Sequence, residues 1–187
     1  MTVLWTVYWP VVLATLIVGI LAGRVGFRQR KLSDELSAAD VAAANLAYRH
    51  QKRKMLGIGG AAALFLVAAW HWPLGGGSRF AGKVETAAAD ELKRVDTPEF
   101  TAKLGRTPLS RTLIVSGSAN EFQKDGFVRL FRELPGVSRV RWNDQARGFD
   151  LPLFVEAALL SLAAFAVGLF FSWIVELRRR VNSYWNW

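Results

Sequence analysis

The sequence predicts an α-helical membrane protein with three transmembrane helices and a small α/β domain between the second and third helices. Three observations support this fold class: three apolar runs with almost no charge, basic residues crowded at the ends of these runs, and one stretch that alternates strand and helix patterns. Roughly 20 apolar residues span a bilayer core. With 52% hydrophobic residues among 187, the chain is too apolar for an ordinary soluble domain.

The three apolar runs set the expected boundaries along the chain. We expect a first transmembrane helix over 1–28, a cytoplasmic helical loop over 29–54, a second span over 55–74, an exported domain over 75–150, a third span over 151–176 and a basic, aromatic cytoplasmic tail over 177–187. The first run lacks a positively charged start and a small-residue cleavage site, so we interpret it as a retained helix. Ser37 and Asp40 have the spacing of a capping box before an alanine-rich stretch. This pattern predicts a helix that runs on into the second span.

The net charge of +9 is concentrated next to the apolar runs. Short basic loops stay on the cytoplasmic side of a membrane. This rule predicts a multi-pass protein of the bacterial inner membrane, with its N-terminus periplasmic and its C-terminus cytoplasmic. Because the basic residues lie at membrane ends, we expect lipids and other integral membrane subunits as partners and no nucleic acid. The absence of cysteine excludes thiolate metal sites and cysteine nucleophiles.

Small residues at helical spacing mark candidate faces for close helix packing. They are Gly19 and Gly23 in the first span, Gly57 and Gly60 in the second, and Ala164 and Gly168 in the third. The second span is the thinnest, because alanines 61–63 follow its glycines. Lipid accepts bulky side chains, so a thin surface favours packing against another helix.

His71 and Glu156 are the polar residues in the apolar runs that invite a functional interpretation. His71, flanked by tryptophans, could ligate the metal of a haem or chlorophyll-type tetrapyrrole. The alternative, which we favour, is a polar tip at the membrane interface with no cofactor bound. Glu156 is an ionisable group inside a span, and such groups are often functional. Near the outer boundary it could instead reach water or pair with an arginine of the soluble domain, such as Arg141 or Arg147, and we favour this structural interpretation.

The exported segment reads as a series of short elements. A glycine run over 75–78 predicts a flexible hinge. We expect a helix over 84–95, a second short helix from Thr97 to Gly105, a strand over 112–115, a helix capped by Asn120, and a strand within 137–142. Gly117 and Gly136 are expected at turns that are costly for any other residue.

The stretch from Leu113 to Trp142 resembles the end of a BON domain. The residues that carry the resemblance are Leu113, Val115, Gly117, Leu130, Leu134, Gly136, Val137 and Val140. The resemblance covers about a third of the chain, and the strand that usually comes earlier in the family has no good candidate in 97–108. It implies a non-enzymatic exported module with envelope, phospholipid or protein contacts, and no catalytic residues.

Together these observations favour a non-catalytic accessory subunit of a larger bacterial membrane complex, with respiratory and photosynthetic assemblies as candidate hosts. The exported segment contains no histidine and no metal-ligand cluster, so we expect neither an enzyme nor a metal site. The alternative is an envelope sensor or a phospholipid-binding module that acts through the BON-like domain.

Overall fold

A computed structural model describes residues 2–28, 37–145 and 148–184. Within them the elements are α1 (Thr2–Gly26), α2 (Ala38–His71), α3 (Gly76–Arg94), β1 (Thr101–Arg106), β2 (Leu109–Ser116), α4 (Glu121–Arg132), β3 (Arg139–Trp142) and α5 (Leu153–Tyr184). The protein is therefore mostly helical, with one small three-stranded sheet.

Three of the helices are long and apolar enough to cross a membrane. The candidate spans are Val3–Gly26, Ala38–His71 and Leu153–Val181. The shortest has 24 residues, which at 1.5 Å per residue gives about 36 Å, more than the roughly 30 Å hydrocarbon core. The prediction that the alanine-rich helix runs on into the second span is confirmed, because α2 is one helix from Ala38 to His71. Ser37 caps it, since its Oγ accepts from the Asp40 backbone N–H at 3.3 Å and donates to the Asp40 carboxylate at 2.6 Å.

The chain divides into two compact units, which we name the sheet unit and the helix unit. The sheet unit comprises Met1–Trp9 and Ala68–Ala157, and the helix unit comprises Pro10–Val67 and Ala158–Trp187. Each has its own interior, described separately below.

The sheet of the sheet unit has the strand order β1-β2-β3. Strands β1 and β2 form an antiparallel hairpin, and β2 pairs with β3 in parallel with Thr112 opposite Arg139. Helix α4 makes the crossover that a parallel pair requires. Its start is fixed by a complete capping box between Asn120 and Gln123, which confirms the predicted cap. The core under the sheet consists of large apolar residues, namely Phe80, Val84, Leu113, Val115 and Phe131.

Two expectations for this unit are wrong. The segment predicted as a short helix from Thr97 to Gly105 is largely β1, whose alternating Ala102 and Leu104 are buried. Pairing with β2 supplied the backbone partners that overrode the weak local propensity. The expected hinge is also absent, because α3 begins at Gly76, and Gly76 and Gly77 are buried.

Gly117 and Gly136 do occupy turn conformations that other residues rarely adopt, as predicted. Their φ angles are 154° and 103°. A Cβ atom at Gly136 would also lie 2.9 Å from Val84 Cγ2, so both backbone conformation and space require glycine there.

Candidate functional site

Glu156 lies in the first turn of α5 and forms an ion pair with the sheet. Its carboxylate accepts from Arg111 Nη1 of β2 at 3.0 Å, and each of the two side chains is only 18% exposed. Arg111 Nε also donates to the Gly136 carbonyl at 2.9 Å. The residue therefore ties the start of α5 to the middle of the sheet, in keeping with the structural interpretation.

The predicted partners of Glu156 were different. Arg141 faces Asp150, with 3.4 Å between Nη2 and the carboxylate, and Arg147 lies outside the described residues. Asp150 also accepts from the Thr112 hydroxyl at 2.8 Å. The expectation that Arg141 pairs with Glu156 is wrong because Asp150, just before α5, takes that arginine.

These contacts define what the carboxylates at the start of α5 do. Asp150 and Glu156 each accept hydrogen bonds from groups of the sheet, and each is close to a guanidinium. The charge of a partly buried carboxylate is compensated within the protein when it is paired with a guanidinium and accepts hydrogen bonds. The cluster is suited to fixing a domain on a helix end, and its acceptors are already engaged.

His71 lies at the end of α2 in a closely packed aromatic environment. Its Nδ1 atom is 2.6 Å from the Tyr8 hydroxyl, and the side chain is buried. The rings of Trp72 and Phe154 lie edge-on, with centroids 5.1 Å and 5.6 Å from the imidazole. A Cβ atom at Gly77 would approach Nε2 to 3.2 Å. One ring nitrogen thus bonds Tyr8 and the other faces α3, so a tetrapyrrole metal would have to displace part of the chain.

The glycines that begin α3 have a packing role. A Cβ atom at Gly76 would lie 2.6 Å from Trp70 Nε1, and Gly77 is in contact with the His71 ring. Trp70 itself donates to the Val7 carbonyl at 3.1 Å, and the Arg79 guanidinium lies over its ring at 5.1 Å. Small residues are needed here because two aromatic side chains meet the first turn of a helix. This close contact explains why the predicted hinge is absent.

In the helix unit, glycines of α1 and α5 lie where the two helices cross. A Cβ atom on Gly19 would overlap the Phe165 carbonyl oxygen, and one on Gly168 would overlap the Leu16 carbonyl oxygen. Gly23 faces Ser172, whose hydroxyl donates to the Ile20 carbonyl at 2.7 Å. Backbones this close give dispersion and polar contacts that a larger side chain would prevent.

Within the chain, α2 packs against its neighbouring helices through a small residue other than the predicted Gly57 and Gly60. A Cβ atom on Gly59 would lie 2.8 Å from Ala22 Cβ and 2.9 Å from the Phe165 ring. Gly57 and Gly60 have no described atom within 4 Å of such a position, so their side of α2 is open. Ala164 is half-buried.

Sequence reasoning included Gly59 among the small residues of the second span but did not separate it from Gly57 and Gly60, and it missed the contacts of Arg111 and Tyr8. A signal for Gly59 existed, because Gly59, Ala63 and Val67 recur every four residues and form one buried stripe. Nothing local marks Arg111 or Tyr8, whose partners lie 45 and 63 residues away.

No group of three or more His, Asp or Glu side chains in the described part of the chain is arranged to hold a metal ion. Comparison with protein-family models, with curated proteins and with solved structures found no match to this chain.

Proposed function

We propose that this protein is a non-catalytic accessory subunit of a larger bacterial inner-membrane complex. Three transmembrane helices anchor it, and the α/β domain, of BON type, faces the periplasm. An energy-transducing assembly, respiratory or photosynthetic, is the host class we propose. The observation that carries the proposal is the open face of α2 at Gly57 and Gly60.

Helix α2 has two faces made of small residues, and the chain uses one of them. Gly59 and Ala63 face the helices of the same unit and are buried. Gly57 and Ala61 are exposed. A face that meets only lipid gains nothing from being thin, whereas a second thin face suits close approach by a helix from another subunit.

The surface of the helix unit supports membrane insertion. Its exposed side chains include large apolar residues of all three helices: Leu13, Ile17, Leu21, Phe65, Val167 and Phe170. Phe65 is 72% exposed. Many exposed large apolar side chains on a soluble protein would promote aggregation, whereas hydrocarbon accepts them without cost.

Charge supports the proposed orientation. Basic residues follow α1 and lie in α2 before its apolar part, and Arg178, Arg179 and Arg180 lie near the end of α5. These ends belong on the cytoplasmic side by the positive-inside rule, which leaves the α/β domain outside. Labelling of a single cysteine at position 78 by a membrane-impermeant reagent on intact cells tests this orientation.

An envelope sensor or phospholipid-binding module is the second candidate, and one observation favours it. Phe122, in the first turn of α4, is 88% exposed. A phenylalanine so exposed on a water-facing domain is available to a partner or a lipid surface. This function would reside in the α/β domain and would not require the open face of α2.

The test of the accessory-subunit proposal is a leucine at position 60. Because nothing in the described chain lies within 4 Å of a Cβ there, Gly60→Leu is expected to leave the protein folded and inserted. It would hold a neighbouring subunit's helix away, so recovery of the complex after mild-detergent purification should fall relative to wild type at matched expression.

Gly59→Leu is the matched control, one residue along the same helix. Its side chain would meet Ala22 and Phe165, so it should destabilise the chain itself, which a melting curve separates from loss of a partner. Alkaline extraction of the membranes checks that each variant is inserted. Equal recovery of wild type and Gly60→Leu, or migration of wild type as a monomer, would contradict the proposal.

A further inference from the structure

A cavity of about 270 Å³ lies in the helix unit, near the C-terminal ends of α1 and α5 and beside the basic middle part of α2. Its lining includes Phe27, Tyr48, Lys52, Trp173, Glu176 and Arg180. The volume is just below the range of about 300–1,000 Å³ for small-molecule sites, which suits a headgroup-sized ligand.

The carboxylate in the cavity is already neutralised. Glu176 accepts from Arg179 Nη2 at 2.9 Å and from Arg180 Nε at 3.3 Å. Arg180 also donates to the Phe27 carbonyl at 3.1 Å, which fixes its guanidinium at the cavity wall. The Glu176 carboxylate in the cavity wall is therefore already engaged by guanidinium groups.

Lys52 adds a further positive charge on the opposite helix. Its Nζ lies 5.3 Å from the centre of the Phe27 ring, and within the described residues it has no carboxylate partner. The half-buried Tyr48, one turn earlier in α2, has a hydroxyl with no hydrogen-bond partner in the same part of the chain. Neither the Lys52 ammonium nor the Tyr48 hydroxyl, one turn apart, has a hydrogen-bond or carboxylate partner among the described residues, and together they match the oxygens of a phosphate group.

The position of the cavity along the helices indicates which phosphate it receives. Lys52 directly precedes the apolar part of α2, which begins near Met55, and Arg180 follows the apolar part of α5. Lipid headgroups lie at this level in a membrane. Trp173, about two turns before the end of the candidate span Leu153–Val181, offers an aromatic surface to the glycerol and upper acyl region.

We propose that this cavity binds the phosphate headgroup of an anionic phospholipid, with Lys52 and Tyr48 as the groups that contact the phosphate. Basic pockets between transmembrane helices on the cytoplasmic side recognise such headgroups. The proposal rests on the membrane insertion proposed above, but it does not require a host complex. Glu176 and Arg180 form part of the cavity wall.

The test uses the full chain, freed of lipid in mild detergent, with phosphatidylglycerol or phosphatidylcholine of identical acyl chains added. Native mass spectrometry counts the bound lipid. Wild type is expected to prefer phosphatidylglycerol. Lys52→Gln should bind it about fivefold more weakly, as expected for one lost cation near a headgroup, with phosphatidylcholine binding unchanged. Tyr48→Phe should show a smaller loss.

Lys54→Gln is the matched control, because it removes the same charge from an exposed position outside the cavity. It should leave the lipid preference unchanged. Equal losses in Lys54→Gln and Lys52→Gln, or no preference in wild type, would overturn the site. If Lys52→Gln has a lower melting temperature than wild type, its weaker lipid binding could come from destabilisation, and Tyr48→Phe becomes the deciding variant. If Tyr48→Phe then keeps the wild-type preference for phosphatidylglycerol, the proposed headgroup site is wrong.

An excess of inorganic phosphate distinguishes a lipid from a free anion. The lipid should stay bound, because its acyl chains contribute to the contact. Displacement by phosphate alone would overturn the lipid assignment. A wild type that prefers phosphatidylglycerol but purifies without partners contradicts only the accessory-subunit proposal, whereas retention in a complex without lipid preference contradicts only the headgroup site.

Discussion

The sheet unit and the helix unit fill their interiors with residues of different size. Tyr8, Phe80, Phe131, Leu113 and Leu153 are the largest fully buried side chains, and all five belong to the sheet unit. Among the fully buried side chains of the helix unit are Val67, Thr15 and Ser161. The helix unit keeps large apolar side chains on its surface.

For Phe80, Phe131 and Leu113, which lie outside the candidate spans, the difference follows from the solvent that we propose for each part of the chain. In water, burying a large apolar side chain contributes about 1.5–3 kcal/mol, so large residues belong inside. In lipid that gain disappears, because hydrocarbon is as apolar as the protein interior. Close backbone contact and hydrogen bonds then stabilise the packing, and small residues permit both. The same chain therefore uses opposite residue sizes for the same purpose.

The largest expected effect is at the crossing of α1 and α5. In Gly168→Val, the new side chain would overlap the Leu16 carbonyl, and neither backbone can yield without separating the helices. We expect the free energy of unfolding to fall by about 3 kcal/mol, the upper end of the usual cost of overpacking. Unfolding of the full chain in detergent measures this change. Gly57→Val is the control, since its position is open. If both variants unfold alike, close backbone contact does not stabilise the helix unit.

A smaller effect is expected at the ion pair between the sheet and α5. Glu156→Gln leaves the partly desolvated Arg111 without a counter-charge. It should lower the free energy of unfolding by about 2 kcal/mol. This is below the 3–5 kcal/mol of a fully buried pair, because both side chains keep 18% exposure. Glu121→Gln makes the same chemical change at a residue that is 90% exposed and should change little. Equal melting temperatures of the full chain for these two variants would remove the structural role assigned to Glu156.

The smallest effect concerns pH and the surface of the sheet unit. A hydrogen bond from Lys124 lowers the pKa of Asp144 below its usual 3.8, and the same bond raises the pKa of Lys124 above 10.5. The contribution of the Asp144 carboxylate to the stability of the fold is thus present above pH 3.8, the pKa in the unfolded chain. It is lost as the pH falls through the lower pKa that Asp144 has in the folded protein. The lysine's contribution is present below pH 10.5 and is lost as pH rises through its higher folded pKa.

Melting of the full chain and of Asp144→Asn from about pH 5 to about pH 2 tests this linkage. Wild type should lose slightly more stability on acidification than Asp144→Asn. Asp125→Asn, which changes an exposed carboxylate of α4, the helix that carries Lys124, should behave like wild type. An identical pH dependence in all three would show that this surface pair contributes nothing to the sheet unit.

The periodic features of this fold were predictable from sequence. The three long helices follow from apolar runs, the helix caps at Ser37 and Asn120 from residue type and spacing, and the turns at Gly117 and Gly136 from glycine in otherwise regular patterns. Each depends on residues that are near one another in the chain. Strand β1 was missed because its short segment has weak propensity and gains its partners only from β2.

At the candidate sites, too, the features set by neighbouring residues were predictable and the contacts between distant residues were not. The sequence by itself determined which segments are helical and apolar, where positive charge gathers, and that small residues mark α1, α2 and α5. Only the tertiary structure decided that Arg111 pairs with Glu156, that Tyr8 bonds His71, and that Gly59 packs while Gly60 stays open. The physical reason is that propensity and hydropathy act over a few neighbouring residues. A contact between distant residues depends on the rotation and depth of whole helices, which no local pattern specifies.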